Sequence, residues 1–150
     1  MIKVISVNIS EKKGVIKERI EQGFFKINHG LDGDAHAGNW HRQVSLLGIE
    51  SIYKMEESGI DGLTPGQFAE NITTEGITLY ELPIGTKLKI GEVILEVTQI
   101  GKECHKGCQI KQLVGECVMP KEGIFAKVLE EGHIKPGDSI INMNMLYENN

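Results

Sequence analysis

The sequence lacks the features of several specialised protein classes. No run of about eighteen apolar residues occurs, and the N-terminal stretch MIKVISVNISEKKG holds one short apolar run, so neither a membrane span nor a signal peptide is predicted. The net charge of -5 is modest, with acidic and basic residues interspersed, so no nucleic-acid-binding face is predicted. We therefore expect a cytoplasmic protein with neither nucleic acid nor membrane as a partner.

Cysteine is scarce and confined to one place. All three cysteines lie in GKECHKGCQIKQLVGEC, residues 101–117, and an odd number within one short segment argues against a disulfide framework and for reduced thiols. Apolar residues make up 40% of the chain and charged residues 25%, which is enough for an ordinary packed core. With no linker rich in proline, serine or like charges, residues 1–150 are predicted to form one domain.

The patterning predicts a mainly β fold. Residues 2–9 read as a strand that pairs with a second over residues 15–18, and residues 77–100 read as three strands, the last two joined by a two-residue Gly91-Glu92 turn. Residues 135–138 form a turn before a final strand. Many short strands with few helices favour a closed or nearly closed β-barrel.

Two helical segments are predicted within that fold. Apolar residues recur at spacings near three and four over residues 42–57, ending at Ser58-Gly59, which predicts an amphipathic helix. Thr64-Pro65 is a capping pair before a short helical turn over residues 65–71. Residues 28–43, NHGLDGDAHAGNWHRQ, are too rich in glycine and Asp/Asn for a regular element, and a loop is expected there.

The cysteine segment admits several chemistries. Structural zinc is disfavoured because Cys104, His105 and Cys108 lack a second ligand pair at a recognisable spacing. A redox pair is weakened by the Cys-x-x-x-Cys spacing. A single reactive thiolate at Cys104 is favoured, because Lys102, His105 and Lys106 stabilise negative charge. Three ordinary buried cysteines remain the plain alternative.

The glycine-rich loop is a second candidate site. Asp32, Asp34 and the loop glycines are suited to holding a ligand closely, while His36, His41 and Arg42 supply donors suited to a phosphate or an oxyanion. A solvated turn with surface histidines is the alternative for this loop. Glu70 and Asn71 end the FAEN segment, where a carboxylate more often caps than catalyses.

The order of these motifs resembles a MOSC domain, the module similar to the C-terminal part of molybdenum cofactor sulfurases, in its small stand-alone bacterial form. GLDGDAHAG, HRQ, GQFAENITTEG and the cysteine after VTQ carry the resemblance, which covers about residues 3–142. The resemblance implies a MOSC-like β-barrel with a few short helices and a pocket for the molybdenum-pterin cofactor. Relatives that reduce N-hydroxylated compounds ligate molybdenum through the cysteine that corresponds to Cys104.

The resemblance also implies roles for individual residues. Cys104 is expected to be the metal ligand or sulfur carrier, with Asp34 and Glu70 as further catalytic residues. The expected cofactor-binding residues are Asp32, His36, Arg42, Asn71, Lys102 and His105. Pyridoxal phosphate is associated with the family in its sulfurase context, but no lysine here has a motif that supports a Schiff base.

Three functions follow from these predictions. The first is a module that binds molybdenum cofactor or handles its terminal sulfur in molybdoenzyme maturation, with a molybdoenzyme or a cofactor-biosynthesis protein as partner. The second is a small molybdenum-dependent reductase of N-hydroxylated substrates, in which Asp34 or Glu70 delivers a proton. The third is a non-catalytic carrier of the cofactor.

Overall fold

The structure is a computed structural model that describes residues 2–13, 15–57, 62–101 and 119–144. These ranges contain β-strands, short α-helices and a 3-10 helix. The strands are β1 (Lys3–Ile9), β2 (Glu18–Ile20), β3 (Gly23–Lys26), β4 (Gly30–Leu31), β5 (Val44–Gly48), β6 (Ile72–Glu75), β7 (Lys87–Ile90), β8 (Val93–Ile100), β9 (Ile124–Glu130), β10 (Gly132–Ile134) and β11 (Ile140–Asn142). The helices are α1 (Ile49–Glu57), the 3-10 helix (Leu79–Glu81) and α2 (Met119–Glu122).

The strands form one large sheet and one small one. The large sheet has the order β11-β7-β8-β9-β5-β6-β1-β2, and the small one β10-β3-β4. In the described chain β5 and β6 pair in parallel, and the other ladders are antiparallel. The predicted mainly β fold is confirmed. Among the described residues no continuous ladder closes the predicted barrel; an isolated bridge between Lys3 and Ser139 joins β1 to the residue before β11.

Strand β5 corrects the largest helix prediction. Residues 42–57 do not form one helix, because Val44–Gly48 lies in the middle of the sheet and α1 begins only at Ile49. All five residues of β5 are buried: Leu46 packs in the main core while Leu47 packs in a second core beneath α1. A strand buried on both faces loses the alternation that identifies strands in sequence.

Smaller elements also differ from the predictions. The second strand begins at Glu18 instead of residue 15, and residues 77–100 form a 3-10 helix and two strands instead of three strands. Residues 65–68 form turns without a helix. Within the predicted loop 28–43, Gly30–Leu31 pairs as a short strand with β3.

Two turns were predicted correctly. Ile90 pairs with Val93, so Gly91-Glu92 is a two-residue hairpin connection, and Gly91 has φ 59° as such a turn requires. Before β11, the Asp138 amide donates to the Lys135 carbonyl at 3.2 Å and closes the expected turn.

The turn over residues 64–71 packs directly on the backbone before β2. The Lys17 amide donates to the Gly66 carbonyl at 2.9 Å, and Gly66 has φ 89°. A Cβ atom at residue 66 would meet the Lys17 carbonyl oxygen at a separation that real Cβ atoms essentially never show. Gly66 is therefore required both for its left-handed backbone and for close approach of the two segments.

We predict that Gly66→Ala lowers the free energy of unfolding by about 3 kcal/mol or more, since backbone strain and backbone overlap add. Gly62→Ala is the matched control, because Gly62 also has a left-handed φ of 76° but no described residue lies within 4 Å of its added Cβ. The control should lose only about 1 kcal/mol. Urea unfolding of both variants makes the comparison, and equal losses would contradict the packing argument.

Candidate functional site

A fully buried ion pair lies at the centre of the glycine-rich loop. Lys17 Nζ and Asp34 Oδ1 are 2.8 Å apart, and both side chains have 0% exposure. Asp34 Oδ1 also accepts from the Ser10 amide at 3.0 Å, and Oδ2 accepts from the His36 amide at 3.0 Å. The carboxylate thus joins the residue after β1, the segment before β2 and the loop itself.

These contacts set the charge state of Asp34. Burial by itself raises a carboxyl pKa, but here the hydrogen bonding of His36 and the charge of Lys17 outweigh it and hold the pKa of Asp34 well below its usual range. Asp34 is therefore ionised at neutral pH. An ionised carboxylate beside a buried ammonium is an anchor and a poor proton donor.

His36 lies at the outer side of this pair. Its Nδ1 is 3.3 Å from Lys17 Nζ and 3.7 Å from Asp34 Oδ2, and its side chain is 17% exposed. A cleft of about 570 Å³ opens nearby and shares Ser10 and Gly33 with the surroundings of the ion pair. His36 is thus the member of the cluster that retains solvent contact.

Trp40 connects this cluster to a second group of polar side chains. Its Nε1 donates to the His36 carbonyl at 2.7 Å, and its ring meets the His41 ring edge-on at a centroid distance of 5.7 Å. Lys13 Nζ lies 5.1 Å from the centroid of the indole ring. The loop therefore runs continuously from the buried ion pair to His41 and Arg42.

Arg42 and His41 converge on Gln99 near the end of β8. Arg42 Nε donates to Gln99 Oε1 at 3.0 Å, and His41 Nε2 lies 3.0 Å from the same oxygen. The guanidinium carbon of Arg42 sits 5.3 Å from the centroid of the Phe125 ring, which restrains its plane. Gln99 Nε2 in turn donates to the Gly101 carbonyl at 2.7 Å. A partly buried, oriented arginine of this kind suits a phosphate or carboxylate ligand.

Glu70 is buried beneath the 64–71 turn. Its oxygens accept from the Gly66 amide at 3.1 Å, the Phe68 amide at 3.2 Å and the Thr73 hydroxyl at 2.7 Å. Burial raises the pKa of Glu70, and these three donors oppose the rise. With 0% exposure, the carboxylate holds the turn together from inside the protein.

Asn71 bridges the strands on either side of β6. Its Oδ1 accepts from the Ser45 amide at 3.0 Å, and its Nδ2 donates to the Asn8 carbonyl at 3.3 Å. The Asn8 side chain donates to the Glu70 carbonyl at 3.0 Å. Asn71 therefore anchors the start of β6 between β5 and β1.

The predicted site residues divide into four groups, one of which is the buried pair Glu70 and Asn71 described above. Asp34 and His36 are brought together, and Arg42 lies at the far end of the same loop. Asp32 is separate: it is 54% exposed and faces Lys26 and His29 at 3.6 and 3.7 Å. The remaining predicted residues, Lys102, Cys104 and His105, lie outside the described residues, as do Cys108 and Cys117.

Sequence reasoning missed Lys17 and Gln99. Lys17 lies seventeen residues before its partner Asp34, in a stretch predicted to be a short strand. The residues next to Lys17 in the sequence give no indication that its side chain is buried. Gln99 belongs to the VTQ stretch that carried part of the resemblance, which was the available signal for it. Within residues 2–13, 15–57, 62–101 and 119–144, no group of three His, Cys, Asp or Glu side chains is placed to hold a metal ion. The same ranges contain no helix of the length and apolarity needed to cross a bilayer.

Known proteins share this fold. The YuaD protein from Bacillus subtilis superposes with a TM-score of 0.77 at 18% identity, covering 93% of this chain and 94% of that one. YiiM from Geobacillus stearothermophilus gives a TM-score of 0.72 at 21% identity, with 95% of this chain and 75% of that one covered. In sequence, YflK from Bacillus subtilis (strain 168) is 26% identical over 137 residues, which span 85% of this chain and 62% of YflK.

The MOSC domain family model matches residues 32–141, a range that runs from Asp32 through the described sheet to β11. The chain belongs to the MOSC domain family. That family is associated with proteins related to the molybdenum cofactor.

We predict that Asp34→Asn lowers the free energy of unfolding at neutral pH by about 3 to 5 kcal/mol, because Lys17 stays buried without its counter-charge. The lowered pKa of Asp34 means that its stabilisation is complete above the unfolded-state pKa of about 4 and is lost as pH falls through the folded-state pKa. The stability gap between wild type and variant should stay constant down to about pH 5 and then shrink. Urea unfolding at several pH values measures this gap.

Asp32→Asn is the matched control for this experiment. Asp32 is 54% exposed and its ion pairs are long, so its loss should cost less than about 1 kcal/mol. A gap for Asp34→Asn that widens on acidification would contradict the assignment of an ionised, paired carboxylate.

Proposed function

We propose that this chain binds molybdenum cofactor, or handles its terminal sulfur, through Cys104 in the maturation of a molybdoenzyme. Membership of the MOSC domain family supports a role related to this cofactor. The residues proposed to act are Cys104 as metal ligand or sulfur carrier, and Arg42, His36, Lys102 and His105 as cofactor-binding residues. The proposed partner is a molybdoenzyme or a cofactor-biosynthesis protein.

The main support for this proposal is the environment of the Arg42 guanidinium. Its guanidinium is partly buried and packs on the Phe125 ring, and its Nε donates to Gln99 Oε1. No described residue accepts a hydrogen bond from its two terminal nitrogens. A guanidinium held this way presents two parallel donors, which is the arrangement that binds phosphate oxygens. The phosphate of a pterin cofactor has this chemistry.

The sequence position of Cys104, close after the residues that contact Arg42, also supports its proposed role as the thiolate ligand. Gln99 contacts Arg42 and the Gly101 carbonyl, and Cys104 follows Gly101 by three residues. A phosphate-binding arginine together with a soft thiolate ligand suits a cofactor that carries both a phosphate and a metal.

The chain's own residues have distinct proposed tasks. Bound cofactor would supply the redox-active metal and its exchangeable sulfur. Lys102 and His105 favour the thiolate of Cys104 through their positive charge. The His36 side chain is 17% exposed, and the buried Asp34–Lys17 pair holds that histidine in place.

The reductase alternative receives less support from these residues. It needs a proton from Asp34 or Glu70, but Asp34 is ionised against Lys17 and Glu70 is sealed beneath the 64–71 turn. A general acid must reach the group that it protonates. We therefore propose that both carboxylates, together with Asn71, hold the binding loops in position.

Metal and pterin content test the proposal directly. Wild type, Cys104→Ser, Arg42→Lys and Cys117→Ser are to be purified from a host that makes the cofactor, then assayed by elemental analysis and pterin fluorescence. We expect about one molybdenum and one pterin per wild-type chain, and at least a tenfold loss of molybdenum in Cys104→Ser. Arg42→Lys should lose pterin because it keeps the charge without the planar fork.

Cys117→Ser is the matched control, since it removes a thiol of the same segment and should keep wild-type metal content. A sulfur-handling role predicts instead a persulfide on Cys104, seen by intact-mass analysis as one added sulfur atom that is absent in Cys104→Ser. The proposal would be wrong if the wild-type protein carried none of the three: no molybdenum, no pterin and no persulfide.

A further inference from the structure

Strand β8 contains an irregularity next to the Arg42 cluster. Val97 pairs with Ala126 and Gln99 pairs with Phe125, so Thr98 is an extra residue that has no partner of its own on β9. This is a β-bulge. Bulges re-aim side chains and are frequent beside functional sites.

Because of the bulge, the consecutive side chains of Thr98 and Gln99 both contact the segment formed by residues 41 and 42. In a regular strand neighbouring side chains point to opposite faces of the sheet. Here the Thr98 hydroxyl donates to the His41 carbonyl, and the next side chain, Gln99, contacts both His41 and Arg42. Residues 41 and 42 are therefore held by two adjacent side chains that a regular strand would direct apart.

The amide of Gln99 is fixed in one orientation. Its Nε2 faces the Gly101 carbonyl, which only accepts, so Oε1 must face Arg42 Nε and His41 Nε2. Because a carbonyl oxygen cannot donate, His41 Nε2 must carry the hydrogen. The neutral ring is then the Nε2–H tautomer, and Nδ1 is its other nitrogen.

This arrangement leaves a defined set of ligand-binding groups. The Oε1 atom of Gln99 has two lone pairs and receives two donors, so it is saturated. Among the residues that the structure describes, none bonds to His41 Nδ1 or to the terminal nitrogens of Arg42. The terminal N–H groups of Arg42 are therefore the donors left for a ligand, whereas Nδ1 of the neutral His41 ring can only accept.

We infer that Gln99, aimed by the bulge at Thr98, is a positioning residue for oxyanion binding: it fixes Arg42 so that the terminal N–H groups of the guanidinium donate to a phosphate group. This inference rests on the proposed function and deepens it, because it assigns the phosphate end of the ligand to a specific side chain. Gln99 acts through Arg42 and does not itself touch the ligand.

The probe is inorganic phosphate, and its affinity is measured by NMR titration of wild type, Gln99→Met and Gln99→Glu, each without cofactor. The second readout is solvent exchange of the Arg42 Nε–H proton, which reports the Gln99 hydrogen bond alone. In Gln99→Met, which keeps the length but loses the amide, we expect about tenfold weaker phosphate binding and about tenfold faster exchange. Gln22→Met is the matched control, because Gln22 is exposed.

Gln99→Glu separates positioning from charge. Its carboxylate still accepts from Arg42 Nε, so slow exchange should be retained, while its negative charge weakens phosphate binding about tenfold or more. The inference would be overturned if Gln99→Met kept both the phosphate affinity and the Arg42 Nε–H exchange rate of the wild type. It would also be overturned if the wild-type protein bound no phosphate. Such a result beside stoichiometric molybdenum in the cofactor assay would leave the proposed function standing.

Discussion

The buried ion pair between Lys17 and Asp34 is the constraint on which the loop architecture depends. A buried pair contributes little net stability compared with apolar side chains of the same size, but removing one partner leaves an uncompensated charge. Its value here is geometric, because Asp34 also accepts from the Ser10 and His36 amides, while the Lys17 amide donates to the Gly66 carbonyl. One interaction thus registers the end of β1, the glycine-rich loop and the 64–71 turn against each other.

A second polar system performs the same task inside the sheet. Asn71 joins the backbones of β5 and β1 at the start of β6, and Glu70 gathers two amides of its own turn together with the Thr73 hydroxyl. Such networks are favourable only when nearly all members are satisfied. In the described chain Thr74 Oγ1 alone is a buried side-chain polar atom without a hydrogen-bond partner, so the interior polar groups specify the fold with little loss of stability.

Sequence reasoning succeeded where structure is encoded locally. The alternation of β1 and the Gly91 turn are properties of a few adjacent residues, and both were predicted. Strand β5 was mistaken for helix because Leu46 and Leu47 are buried on opposite sides, so its pattern carries no period of two. Asp34, His36 and Arg42 were identified as candidates, whereas Lys17 and Gln99 acquire their roles only through partners 17 and 57 residues away. Tertiary pairing of that kind leaves no trace in local composition.

The two carboxylates show why geometry must be considered before pKa in assigning chemistry. Their pKa values are displaced in opposite directions, a pattern that often marks an acid and base pair. Yet Glu70, whose pKa is raised, is sealed by its own turn, and Asp34, whose pKa is lowered, is committed to Lys17. Neither can exchange a proton with a ligand in this arrangement. The donors that remain available are the terminal N–H groups of Arg42, and a pair of parallel N–H donors is suited to holding an anion. The described residues thus support the binding part of the proposed function, and we propose that any bond-breaking chemistry belongs to Cys104.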